Sequence, residues 1–86
     1  MSKQVENWRK FSAQVEDHIE NYVVPQYGDV GDDPVTNYSV ADCLLQVEKY
    51  VKRFGRSSRP GEEMRDLIKA AHFLQRAADK FQGEKQ

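Results

Sequence analysis

The chain has 86 residues, 38% hydrophobic and 31% charged, with a single cysteine and a net charge of −1. A chain of that length builds one domain around a modest core, one thiol closes no internal disulfide, and an aromatic content of 10% argues against disorder. No stretch approaches the ~20 apolar residues of a membrane span, and the leading Met-Ser-Lys-Gln-Val-Glu-Asn-Trp holds no apolar signal core. The expectation is a cytoplasmic protein without a membrane partner, folded as one domain over residues 1–86.

The first helix is expected over about 3–23. Val5, Trp8, Phe11, Val15, Ile19 and Tyr22 recur at three- and four-residue steps, which makes one apolar stripe. Ser2 is the candidate N-cap, and Pro25 disfavours helical geometry at Val24, which predicts the stop. Residues 25–38 hold two glycines, two prolines and the acids Asp29, Asp32 and Asp33. They read as a long ordered loop, packed down by Tyr27, Val30, Val35 and Tyr38. The aspartates lack the alternating ligand order of a calcium loop and suit turn formation.

The second helix is expected over about 39–54, with Ser39 as N-cap, Asp42 completing a capping box and Gly55 ending it in the left-handed conformation. Val40, Cys43, Leu44, Val47, Tyr50, Val51 and Phe54 form its stripe; Leu45 falls off it. The third helix is expected over about 60–82, with Pro60 at its first position, Glu62 and Glu63 near its positive end and Gly83 at its stop. Met64, Leu67, Ile68, Ala71, Leu74, Ala78 and Phe81 form its main stripe, widened by Ala70, Phe73 and Ala77. So wide an arc predicts a central helix touching both others. The fold expected is all-α, a three-helix up-down bundle.

Charge is unevenly spread. Residues 11–48 carry eight acids and no Lys or Arg; residues 49–86 carry ten Lys or Arg against five acids. Lys49, Lys52, Arg53 and Arg56 recur at i, i+3, i+4 and i+7, opposite the apolar stripe of the second helix, and Arg59 follows. This basic face is either solvated surface or an anion-binding face. The segment Gly55-Arg56-Ser57-Ser58-Arg59-Pro60-Gly61 leads into a helix start, where free N–H groups favour anions, but Glu62 and Glu63 oppose a phosphate there and no P-loop is present. Asp17-x-x-Glu20 and Glu63-x-x-Asp66 have the spacing of paired carboxylate ligands in MazG-like pyrophosphohydrolases. The first pair is inverted, and Glu63 and Asp66 already suit a helix start, so metal binding by Glu63 and Asp66 is the lesser reading. His18 and His72 stand alone in the sequence, and Cys43 lies on an apolar stripe as an inert buried thiol. No nucleophile motif appears, so no catalytic residue and no cofactor is assigned.

One resemblance adds to this. Lys49-Tyr50-Val51-Lys52-Arg53-Phe54-Gly55, followed by Asp66-Leu67-Ile68-Lys69-Ala70-Ala71-His72-Phe73-Leu74, resembles the pattern Lys-Tyr-x-x-Arg-x-Gly then Asp-Leu-x-Lys-Ala-x-x-aromatic-Leu of a small, mostly uncharacterised helical domain common in phages and prophages. That domain also occurs in a phage nucleotide kinase without a P-loop, whose upstream residues differ. The resemblance covers roughly residues 43–76. It implies a prophage context and nucleotide-related work, with Lys49, Arg53, Asp66 and Lys69 as the polar residues of interest; Asp66 is expected to pair with Lys69 or Lys52. The leading expectation is a non-enzymatic binding or accessory protein that takes an anionic ligand, nucleotide or acidic protein partner through Lys49, Lys52, Arg53, Arg56, Arg59 and Lys69. The alternatives are a small nucleotide-handling enzyme, metal-dependent or kinase-associated, and an interaction or homo-oligomer-forming module, with Leu45 and Phe73 outermost.

Overall fold

The computed structural model describes residues 2–56 and 58–84. In chain order these form α1 (Lys3–His18), a π-helical turn (Ile19–Val23), α2 (Val24–Tyr27), a 3₁₀ turn (Pro34–Asn37), α3 (Val40–Arg53) and α4 (Glu62–Glu84). The fold is all-α, and the described residues contain no strand. None of the described helices is long and apolar enough to cross a membrane.

Several boundaries follow from local chemistry. Ser2 Oγ accepts the Val5 N–H at 3.1 Å and caps α1. Ser39 Oγ accepts the Asp42 N–H, and the Asp42 carboxylate accepts the Ser39 N–H, both at 3.0 Å, closing the capping box of α3. Gly55 takes φ +78° just past α3, a conformation a side chain would disfavour.

Pro25 does not stop the first helix. The chain widens into a π turn in which the Val24 N–H reaches the Ile19 carbonyl, and helix continues through Pro25 to Tyr27. The extra residue in that turn relieves the clash that a proline ring makes with the carbonyl one turn earlier. The loop therefore starts at Gly28, whose N–H bonds the Val24 carbonyl at 2.9 Å. The last helix also differs from expectation. Pro60 lies in the preceding turn and Gly61 takes φ +84°, so α4 starts at Glu62. Gly83 keeps φ negative and α4 runs past it to Glu84, because glycine weakens a helix without ending it unless φ turns positive.

Helices α3 and α4 form an antiparallel hairpin: Arg53 meets Asp66 and Tyr50 stacks on Phe73, so residue numbers rise on one helix as they fall on the other. α4 also packs against α1 and is central in that sense. The hairpin seam follows part of the expected stripe on α3, through Cys43, Val47 and Tyr50, and shifts to one side of the main stripe on α4. Cys43 and Ala77 are the buried apolar residues, joined by the buried polar residues Asp33, Asp66 and Arg76. Met64, Leu67, Leu74 and Phe81 of the stripe predicted as core are exposed, Leu74 by 53%. Within the wide apolar arc of α4, the side carrying Phe73 and Ala77 meets α3, because their neighbour Asp66 is drawn there by Arg53. On α1, Val5 and Trp8 are exposed while Phe11 and Val15 are half-buried.

Of the apolar residues expected to pack the loop down, Val35 and Tyr38 are half-buried, while Tyr27 and Val30 are exposed. Asp33 holds the loop. Its carboxylate caps the 3₁₀ turn by accepting the Thr36 N–H at 3.1 Å and takes a fork of two bonds from Arg76, at 2.6 and 3.2 Å. Lys80 donates to the Thr36 carbonyl at 3.0 Å beside it.

Candidate functional site

One flank of the hairpin faces α1, α2 and the loop across a cleft of about 230 Å³. α1 and the π turn supply His18 and Tyr22, α2 supplies Tyr27, α3 supplies Tyr50, and α4 supplies Lys69, His72, Phe73 and Arg76. Aromatic faces dominate the walls. His18 stacks on Tyr22 at 5.2 Å between centroids, and Tyr50 on Phe73 at 5.9 Å.

Three cations gather round the Tyr50 ring: Arg53 Cζ at 5.0 Å, Lys49 Nζ at 5.2 Å and Lys69 Nζ at 5.4 Å from its centre. The helical period brings them there. Lys49 and Arg53 flank Tyr50 along α3, and Lys69 lies one turn from Phe73, which stacks on that ring. Arg53 is the one that finds a carboxylate: its Nε and Nη2 reach Asp66 Oδ1 at 3.0 and 2.5 Å, and Glu62 stands 3.9 Å away. The second oxygen of Asp66 is buried without a protein hydrogen-bond partner. Asp66 thus pairs with Arg53, not with Lys69 or Lys52, because Arg53 is the residue that the antiparallel register sets opposite it. Among the described residues, no carboxylate lies within ion-pair distance of Lys49 or Lys69.

Burial and the neighbouring positive charges set the proton affinities. Desolvation, followed by the charges of Arg53 and Arg65, lowers the Lys69 pKa. The hydrogen bond from Arg53 to Asp66 raises that of Arg53. Burial lowers both histidines, helped by Lys69 and Arg65 at His18 and by Arg76 and His18 at His72. Burial raises the Tyr50 phenol and the Cys43 thiol, the latter fully buried and inert in character. The Arg76 hydrogen bonds hold Asp33 at about 2.

The basic face expected on α3 is therefore divided. Lys52 turns to Glu48 at 2.6 Å on the exposed side. Arg53 is part-exposed and leans onto the buried Asp66. Arg56 and Arg59 lie exposed in the connecting turn, and Ser57 lies outside the described residues. Of the expected residues, Lys49, Arg53 and Lys69 come together. The carboxylate pair does not: Asp66 is committed to Arg53, Glu63 is exposed, and no group of three or more His, Cys, Asp or Glu among the described residues is placed to hold a metal ion. Sequence reasoning missed that His18 and His72 share a cleft and that Arg76 anchors its floor. Phe73, expected on the outside, is half-buried against Tyr50. No protein-family model, curated protein or solved structure matches the chain.

Proposed function

We propose that the protein is a phage- or prophage-type binding or accessory module, without catalysis of its own, that holds the anionic group of a small ligand at the Tyr50 ring. Supporting this most is the meeting of Lys49, Arg53 and Lys69 around one aromatic face while only Arg53 has a carboxylate partner among the described residues. Like charges held together repel, and an anion placed among them relieves that repulsion. The half-buried position of Lys69 strengthens the attraction by excluding water. The aromatic walls beside it suit a planar group attached to the anion, as in a nucleotide. The cleft is smaller than the ~300 Å³ at which ligand pockets usually begin, which favours one ring or one phosphate over a larger cofactor.

NMR titration with inorganic phosphate, then with nucleoside mono- and triphosphates, tests this. Shifts gathered at Lys49–Gly55 and Lys69 are expected, and Lys69→Ala is expected to weaken binding at least ~10-fold, about 1.4 kcal/mol. Lys52→Ala should leave it unchanged. No shift at millimolar ligand overturns the reading. A nucleotide-handling enzyme is the second reading, favoured by the two imidazoles that line the same cleft and stay uncharged at neutral pH. Its mark is a magnesium-dependent response around Glu63 and Asp66.

A further inference from the structure

The hairpin has a second flank. At about 100° per residue, Arg53 lies to one side of Cys43 on α3, and Lys69 and Arg76 lie to that same side of Asp66 on α4. Leu44 and Val51 lie about 80–100° to the other side of Cys43; Leu67 and Leu74 lie about 80–100° to the other side of Asp66. All four are exposed, and Met64 extends the row. The two helices thus present exposed apolar residues on one side of the hairpin, the side opposite Arg53, Lys69 and Arg76.

The molecule as a whole has surface to spare for a partner. The chain exposes 6472 Å², against about 5,200 Å² for a compact protein of its 10.0 kDa. Its radius of gyration is 13.9 Å, against about 12 Å for a compact domain of its length. The excess, about 1,200 Å² over the whole molecule, is larger than the ~800 Å² that each partner gives to a stable interface of standard size, and Leu44, Val51, Leu67 and Leu74 are among the large apolar side chains that carry it. Charge points to a copy of itself. Glu48 and Lys52 beside the face neutralise each other at 2.6 Å. Glu63 stands in the first turn of α4, so a twofold axis through the middle of the face keeps it far from its mate. Such a face sets no like charges against itself.

We propose that a second copy of this chain occupies this face, two hairpins packing together as a four-helix bundle with each α1 and loop on its outside. The inference stands apart from the anion site, which lies on the opposite flank. Light scattering and sedimentation on the full chain are expected to give about 20 kDa, twice the chain mass. Leu74→Glu puts a charge into the seam of each copy and is expected to raise the dimer Kd at least ~100-fold, with helical circular dichroism retained because Leu74 is half exposed in the single chain. Leu67→Gln, a neutral change on the same face, tells dissociation from unfolding and is expected to weaken the dimer at least ~10-fold. Leu45→Glu, on the side of α3 turned away from α4, leaves the dimer intact. A wild-type mass of one chain at every attainable concentration overturns the proposal. So does an oligomer that Leu74→Glu and Leu67→Gln leave unchanged, or one that Leu45→Glu dissolves as readily.

Discussion

The two flanks of one helical hairpin are built on different principles. The flank under α1 and the loop is polar at its base and aromatic above, and specific pairs hold it: Asp33 with Arg76, Arg53 with Asp66, Tyr50 with Phe73. The other is leucine, valine and methionine, with Leu44, Val51, Met64, Leu67 and Leu74 all exposed. Directional contacts fix a geometry and so can shape a site. Non-directional apolar surface only asks to be covered. The first flank suits recognition and the second suits assembly.

Removing the anchor of the polar flank should have the largest effect. Arg76→Ala leaves the buried Asp33 carboxylate without its partner, and a loss of about 3–5 kcal/mol is expected. Hydrogen exchange should show the loop around Gly31 and Thr36 opening ahead of the hairpin. By contrast, Leu74→Glu should change the stability of the single chain by less than about 0.5 kcal/mol, as exposed positions do. Equal costs for the two variants would erase the distinction between the flanks.

Acid offers a reversible version of the same test. Asp33 has its pKa depressed from 3.8 to about 2. Its contribution is therefore present above pH 3.8 and lost as pH falls through about 2; the size is about 2 kcal/mol. His18 and His72, also lowered, act earlier and in the same direction. Their neutral forms are favoured by the fold, so stability falls as pH drops below 6.5. Arg65, Lys69 and Arg76 oppose their protonation, while Asp17 and Asp33 favour it. Thermal melts from pH 7 downward should show a shallow loss below 6.5 and a steep one between 3.8 and about 2, with loop signals moving first. The smallest effect is expected from Gly83→Ala. A methyl there meets nothing within 4 Å, and helix propensity alone should stabilise the end of α4 by about 0.5 kcal/mol.

Legibility followed the range of the interaction. Ser39 and Asp42 announce the start of α3 because a capping box is complete within four residues. Gly55 announces its end for the same reason. Pro25 misled, because a π turn let the helix pass it, and nothing in the neighbouring residues distinguishes relief from termination. Lys49, Arg53 and Lys69 were legible as basic residues of interest, but their shared partner, the Tyr50 ring, was not. Tyr50 reads simply as a member of an apolar stripe. Arg76 carried no signal at all: its partner Asp33 is 43 residues away.

By itself, then, the sequence determined that the chain is helical, where α3 begins and ends, and which side chains are apolar or basic, since propensity, capping and periodicity act within a turn or two. Only the tertiary structure decided which part of the wide apolar arc of α4 meets α3. It was chosen by the Arg53–Asp66 and Asp33–Arg76 pairs, because a buried charge must find its partner whereas an apolar side chain accepts any dry neighbour. That choice set the aromatic cleft on one flank and left the leucines bare on the other.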